Sequence, residues 1–211
     1  KAAAEIGGDY WSIKHHKKDG IVTLKLADIT GHGIAAATLV AAVKFISGGY
    51  YKGSESAAEV IAQTNTVLTQ ETPHEILVSM VYAWLRPATC ELSIVNAGHA
   101  PVFLCSDSIC EDVPLTGPLM GISEDSEYDE RKFTLKKDDI VFFGSDGIIE
   151  AGVGRQFGPD RLKMLVSENA HLTADEIADK VVDSVTDYAS QPNDDISLLV
   201  VKVTSDPGAC S

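Results

Sequence analysis

Residues Leu26–Leu39 read LADITGHGIAAATL. An apolar strand, in which Val22, Leu24 and Leu26 alternate with Thr23 and Lys25, ends on Asp28. Gly31, His32 and Gly33 follow, and then a run of helix-forming residues. A strand buried on one face thus hands a single carboxylate to a glycine-flanked turn.

On the N-terminal side, residues 5–14 read as a partner strand, joined to residues 20–28 by the turn HKKDG. On the C-terminal side, residues 34–48 read as a helix. Ala36, Leu39, Val43 and Ile46 fall on one stripe, and Gly48-Gly49 is expected to end it. A second helix is expected over 55–70, with Ala58, Ile61 and Leu68 inward. Strands follow near 76–85, 90–96 and 101–105, then near 127–134 and 139–145, the last two joined as a hairpin at Lys136-Lys137-Asp138-Asp139. Helices near 159–168 and 174–189, with Ile177, Val181, Val185 and Tyr188 on one face of the second, precede a final strand, ISLLVVKV. Short turns between sequential strands predict largely antiparallel sheets. Two such sheets packed face to face, each covered by a helix pair, bury every stripe. The expected fold is α+β, a four-layer α-β-β-α sandwich, with residues 1–204 as one domain and 205–211 as a disordered tail. The abrupt start at KAAAEIGGDYW suggests an upstream segment.

The chain has 211 residues, 45% of them apolar and 23% charged, with a net charge of −14. No basic face is evident in the sequence, which argues against a nucleic-acid partner. No apolar run approaches the ~20 residues that span a bilayer, so no membrane segment is expected. Cys90, Cys105, Cys110 and Cys210 lack C-x-x-C spacing and read as reduced thiols of a cytoplasmic protein, with a Cys105–Cys110 disulfide as the alternative.

The acids recur at strand ends. Asp146 follows Ile140-Val141-Phe142-Phe143, Asp194 and Asp195 precede the last strand, and Asp9 follows a glycine pair. An aspartate beside glycine is usually a turn former. If the last strand runs antiparallel to its neighbour, however, all of these acids reach one rim. Clustered carboxylates suit hard divalent cations such as Mg²⁺ or Mn²⁺, and two such ions ~3.5–4 Å apart can clamp phosphate oxygens.

Five motifs in order resemble the PPM/PP2C metal-dependent protein phosphatases, specifically the bacterial SpoIIE-type branch. They are GGDYW (7–11), DITGHG (28–33), NAGHAP (96–101), SDGIIEA (145–151, followed by FGPDRL) and NDDISLLVV (193–201). The resemblance covers about Glu5 to Val203. It implies metal ligation by Asp9, Asp28, Asp146 and Asp194 and by the backbone carbonyl of Ile29. Asp28 would bridge two ions, and Asp195 would replace Asp194 or hold a neighbouring loop. It also implies that Asp28 and Asp146 serve the chemistry, a metal-activated water attacking the phosphorus of phosphoserine or phosphothreonine with no phospho-enzyme. The implied context is the output domain of a larger bacterial regulator, with a phosphorylated STAS-type anti-sigma-factor antagonist as substrate. An upstream sensor or receiver domain and a possible homodimer complete it. The family often carries an acid three residues after the GGD aspartate, where this chain has Ser12.

Other residues read more plainly. His99 is expected to make a structural hydrogen bond, and His32 to orient its loop or assist the leaving group. His15 and His16, with Lys17 and Lys18, form a solvated hairpin tip, and His74 and His171 lie at the surface. Glu150 is expected to support the Asp146 loop, and Trp11 and Trp84 to pack in the core or on a strand face. The helices at 34–48 and 55–70 flank the Asp28 loop, and their packing could switch metal occupancy. Two rival functions are a catalytically silent docking module and a two-metal hydrolase of another phosphate ester.

Overall fold

The computed structural model describes residues 8–31, 34–189 and 194–205. Strands β1 (Tyr10–His16) and β2 (Ile21–Ile29) form a hairpin, followed by α1 (Ile34–Tyr50) and α2 (Ala57–Glu71). Then come β3 (Val78–Arg86), β4 (Glu91–Ala97), β5 (Val102–Ser106), β6 (Ile109–Asp112), β7 (Arg131–Thr134) and β8 (Ile140–Gly144). A single-turn helix α3 (Asp146–Ile149), α4 (Pro159–Glu168), α5 (Ala174–Tyr188) and β9 (Leu198–Lys202) complete the chain. One sheet has the order β1-β2-β3-β4-β7 and the other β6-β5-β8-β9, and every strand pair is antiparallel.

Strand periodicity builds the layers. In the five-stranded sheet, Ala27, Ile29, Met80, Tyr82 and Val95 face α1 and α2, meeting Val43, Val60, Ile61 and Leu68. The alternate residues Leu24, Leu26, Val81 and Ile94 point the other way and meet Val102, Val141, Phe143 and Leu199 of the second sheet. Phe103 and Phe142 emerge on the far side, stacked with centroids 4.8 Å apart, and pack on Leu162, Val166, Ile177, Val181 and Val185 of α4 and α5. This is the expected α-β-β-α sandwich, because residues one apart on a strand serve different layers. Two helices are capped as their sequences suggest. Ser56 accepts from the Glu59 amide of α2, and Thr173 and Glu176 form a reciprocal capping box on α5.

Several expectations change. Lys136–Asp139 is not a hairpin. β7 belongs to one sheet and β8 to the other, so the segment carries the chain across the sandwich. Buried Asp139 holds that crossing by accepting from the Lys136 amide at 2.8 Å. α1 runs through Gly48-Gly49 to Tyr50. Trp84 is buried, whereas Trp11 is 59% exposed on the edge strand. His16 is not merely solvated but stacks on Tyr51 with centroids 3.6 Å apart. Cys105 and Cys110 are disulfide-bonded, not reduced. Asp107 and Ser108, both at positive φ, make a two-residue turn that sets Cys105 opposite Cys110 across the β5–β6 hairpin. Cys90 is a buried free thiol, and Cys210 lies outside the described residues with all of the expected tail except Ser205. Among the described residues, no helix is long and apolar enough to cross a membrane.

Candidate active site

The hairpin register places the first two acids. Tyr10 pairs with Ala27, so Asp9 stands at the same end of the ladder as Asp28, which itself pairs with Ser79 of β3. The second sheet supplies the others. Gly144 at the end of β8 pairs with Leu198 at the start of β9, so Asp146 and the Asp194-Asp195 segment leave the sheet at one end. The buried Ser145 ties these two segments together. Its hydroxyl donates to the Asp195 carbonyl at 2.9 Å and accepts from the Ser197 amide at 3.0 Å. The Ser145 amide in turn donates to the Ser197 carbonyl at 2.8 Å. Gly147 is obligatory here, since any side chain would run into the Asp195 carbonyl. Asp194 accepts from the amide of Asp195 at 2.7 Å, which fixes the turn entering β9.

The acids of the two sheets feel one another. Burial, opposed by the Ser197 and Ser145 hydroxyls and reinforced by Asp28 and Asp195, pushes the Asp9 carboxyl up to about 7. Burial and then the charges of Asp146 and Asp194 push Asp28 up to about 6. Asp146 is raised by burial and by Asp194. Like charges held together in a partly dry rim have this signature. Among the described residues, no three His, Cys, Asp or Glu side chains close tightly enough to enclose an ion. The acids form a shared rim rather than a finished cage.

Two observations bear on what this rim could hold. Asp9 Oδ2 is buried with no hydrogen-bond partner, an orphaned acceptor. The space beside the Gly8 Cα is walled by oxygens. A Cβ there would lie 2.5 Å from the Ile29 carbonyl, 3.2 Å from Asp28 Oδ1 and 3.4 Å from the Gly31 carbonyl. Oxygens of this kind are the donors that hard cations take. Gly8, Ser145 and Ser197 were not singled out from the sequence. Their roles depend on close approach between segments that no local pattern encodes.

A cleft of about 360 Å³ adjoins the acids, lined among others by Asp28, Ser79, His99, Asp146 and the exposed Glu150. His99 is buried, shares a 2.7 Å hydrogen bond through Nδ1 with the Ser79 hydroxyl, and takes its amide partner from Asn96 Oδ1 at 2.9 Å. Burial, against a weaker pull from the Gly144 backbone, lowers its pKa to about 4. The expected structural hydrogen bond is present. Glu150 closes α3 by donating its amide to the Asp146 carbonyl at 2.9 Å. His32 lies outside the described residues.

The family model of Stage II sporulation protein E (SpoIIE) matches residues 18–204. The chain belongs to the SpoIIE family. This SpoIIE-family chain is 27% identical over 205 residues to phosphoserine phosphatase RsbU of Bacillus subtilis, covering 95% of the chain and 60% of RsbU. It is 25% identical over 159 residues to phosphoserine phosphatase RsbP of the same organism, covering 71% of the chain and 38% of RsbP. The chain therefore spans less than two thirds of either relative. Among solved structures, the SiaA PP2C domain of Pseudomonas aeruginosa superposes with a TM-score of 0.85 at 18% identity, covering 96% of this chain and 83% of that one. The PP2C domain of SpoIIE from Bacillus subtilis does so at 0.78 and 20% identity, covering 95% and 58%. The fold of this SpoIIE-family chain is that of a PP2C domain.

Proposed function

We propose that the chain is a divalent-metal-dependent serine/threonine protein phosphatase, with Asp9, Asp28, Asp146, Asp194 and the Ile29 carbonyl as the ligand set. The observation that carries this reading is the convergence of acids from both sheets beside an oxygen-walled glycine and an orphaned Asp9 oxygen. Bound Mg²⁺ or Mn²⁺, in two sites, would supply charge neutralisation and an activated water. Asp28 faces the acids of the second sheet and is the natural bridging carboxylate. Asp195, whose amide and carbonyl are both held by neighbours, acts as the loop holder rather than the main ligand. His99 stays neutral in the working range and positions the cleft wall through Ser79 instead of exchanging protons. The phosphoryl group enters the cleft between Asp28, Asp146 and Glu150.

The named phosphoserine phosphatases RsbU and RsbP support a phosphoserine-bearing protein substrate. A solved neighbour that joins RsbU and RsbW domains supports a place in sigma-factor regulation. On this reading the substrate is a STAS-type antagonist, and a regulatory segment precedes the chain. The test is hydrolysis of p-nitrophenyl phosphate across a Mn²⁺ titration with an EDTA control. Metal-dependent turnover lost in Asp146→Asn is the expected result. A folded wild type with no turnover at any metal concentration refutes the reading.

A further inference from the structure

The opposite face of the five-stranded sheet carries a second, basic site. Lys25 sits in the middle of β2, 5% exposed, on the face turned toward α1 and away from Asp28. Its Nζ donates to Ser47 Oγ of α1 at 2.8 Å and lies 4.9 Å from the Tyr82 ring centroid. Among the described residues it has no carboxylate partner. Buried lysines without one are rare.

Lys25 lines a cavity of about 510 Å³ with Lys14 of β1, Lys44 of α1 and Lys52, which follows α1. No acid lines this cavity, in a chain whose net charge is −14. Tyr51, on the cavity wall, donates its hydroxyl to Asp19 at 2.8 Å. Burial, and then the charge of Lys14, hold the Lys25 pKa down to about 8. Buried Tyr82 also lines the cavity, and its ring lies beneath the Lys25 ammonium. The rim also carries the Phe45 ring, 75% exposed, beside the buried rings of Tyr10 and Tyr51.

We propose that this cavity binds a nucleotide-sized organic phosphate, its phosphates held by Lys14, Lys25, Lys44 and Lys52 and its base laid on the aromatic rim. The size falls within the range of small-molecule sites. Four lysines from β1, β2, α1 and the residues after it, with no acid among the lining, suit a ligand with several phosphate oxygens, and the exposed Phe45 ring suits a planar base. The site is separate from the acid rim, and it stands whether or not that rim hydrolyses phosphate.

The test is calorimetric titration of ADP, inorganic pyrophosphate and adenosine into the protein in EDTA, where the acid rim repels phosphate. ADP should bind saturably and more tightly than either fragment. Lys25→Met should weaken it at least about tenfold, the equivalent of one charge-assisted contact. Because a buried substitution can impair folding, the exposed pair Lys14→Gln/Lys44→Gln provides a second reading and should show a similar loss. Asp28→Asn should bind ADP as the wild type does. Absence of saturable ADP binding, binding untouched by both lysine variants, loss in Asp28→Asn, or pyrophosphate binding as tightly as ADP would each overturn the assignment.

Discussion

His99 offers a quantitative check on the cleft. Its pKa is lowered from 6.5 to about 4, chiefly by burial. The unfolded chain therefore takes up a proton on His99 before the folded protein does. The stability that neutral His99 contributes is fully present above about pH 6.5, falls as the pH drops, and levels off below about pH 4. At about 1.36 kcal/mol per unit, the full loss is about 3 kcal/mol, and about 2 kcal/mol of it is gone by about pH 5. The variant to make is His99→Gln, which keeps a polar side chain but does not titrate. Near neutrality it should be less stable than the wild type by about 1–3 kcal/mol, because the Ser79 hydroxyl loses its 2.7 Å partner in a buried site. On acidification the gap should narrow by about 2 kcal/mol by about pH 5. Urea denaturation of both proteins in EDTA, at stepped pH, measures the difference directly, and the titrations of every other group cancel in it. A gap that stays constant or widens as the pH falls would refute the reasoning. It would mean that His99 is protonated in the fold, and would reopen a proton-donating role.

Further outcomes follow from other parts of the structure. Asp9→Asn removes a carboxyl whose pKa is raised to about 7, so in EDTA the variant should become the more stable protein as the pH rises from about 4 to 7. Half of the undiscounted linkage is about 2 kcal/mol at about pH 8, and thermal melts should show a rise of several degrees. Mn²⁺ should raise the wild-type melting temperature at about pH 8, by about 2.7 kcal/mol of stabilisation at a hundredfold excess over Kd, and leave Asp28→Asn nearly unmoved. Phe142→Ala should cost about 3–5 kcal/mol in urea unfolding, since the ring is fully buried and stacked on Phe103. Non-reducing peptide mapping should recover a Cys105–Cys110 link, and its reduction should cost about 2 kcal/mol on the chain-entropy estimate for so short a loop.

The layers were legible because adjacent residues such as Phe142 and Phe143 serve different cores, and alternation along a strand is a local property of sequence. The helix stripes and the order of the acids were legible for the same reason. Sheet membership was not. β7 and β8 look like a hairpin, since four polar residues separate two apolar runs. Which sheet each joins depends on partners about 40 residues away in β4 and β5. The four-residue strand β6 carries too little alternation to register, and without it Cys110 had no residue opposite. Gly8 and Gly147 were visible as glycines, but their reason lies across the fold, in the oxygens of Ile29 and Asp28 and in the carbonyl of Asp195.

The same long-range closeness explains why the acid rim needs this architecture. Asp9, Asp28 and Asp146 are each raised by burial and by neighbouring carboxylates, so the cluster opposes folding on its own. No single turn could hold it. The acids are instead anchored at the ends of strands whose interiors are sealed, β2 through Leu24 and Leu26 and β8 through Val141 and Phe143, in the one layer the two sheets share. Ser145 then locks the Asp146 and Asp195 segments with hydrogen bonds that do not depend on a cation. The shared core thus supplies the free energy that keeps the charges together, and a divalent cation would relieve the repulsion that remains. A metal-free form with its secondary structure intact and a loosened rim is the consequence. Amide hydrogen exchange should show it, with protection in β2 and β8 independent of Mn²⁺ and protection around Asp146 and Asp195 rising when Mn²⁺ is added. Equal protection in both regions with and without the ion would mean that the rim is finished before any metal arrives.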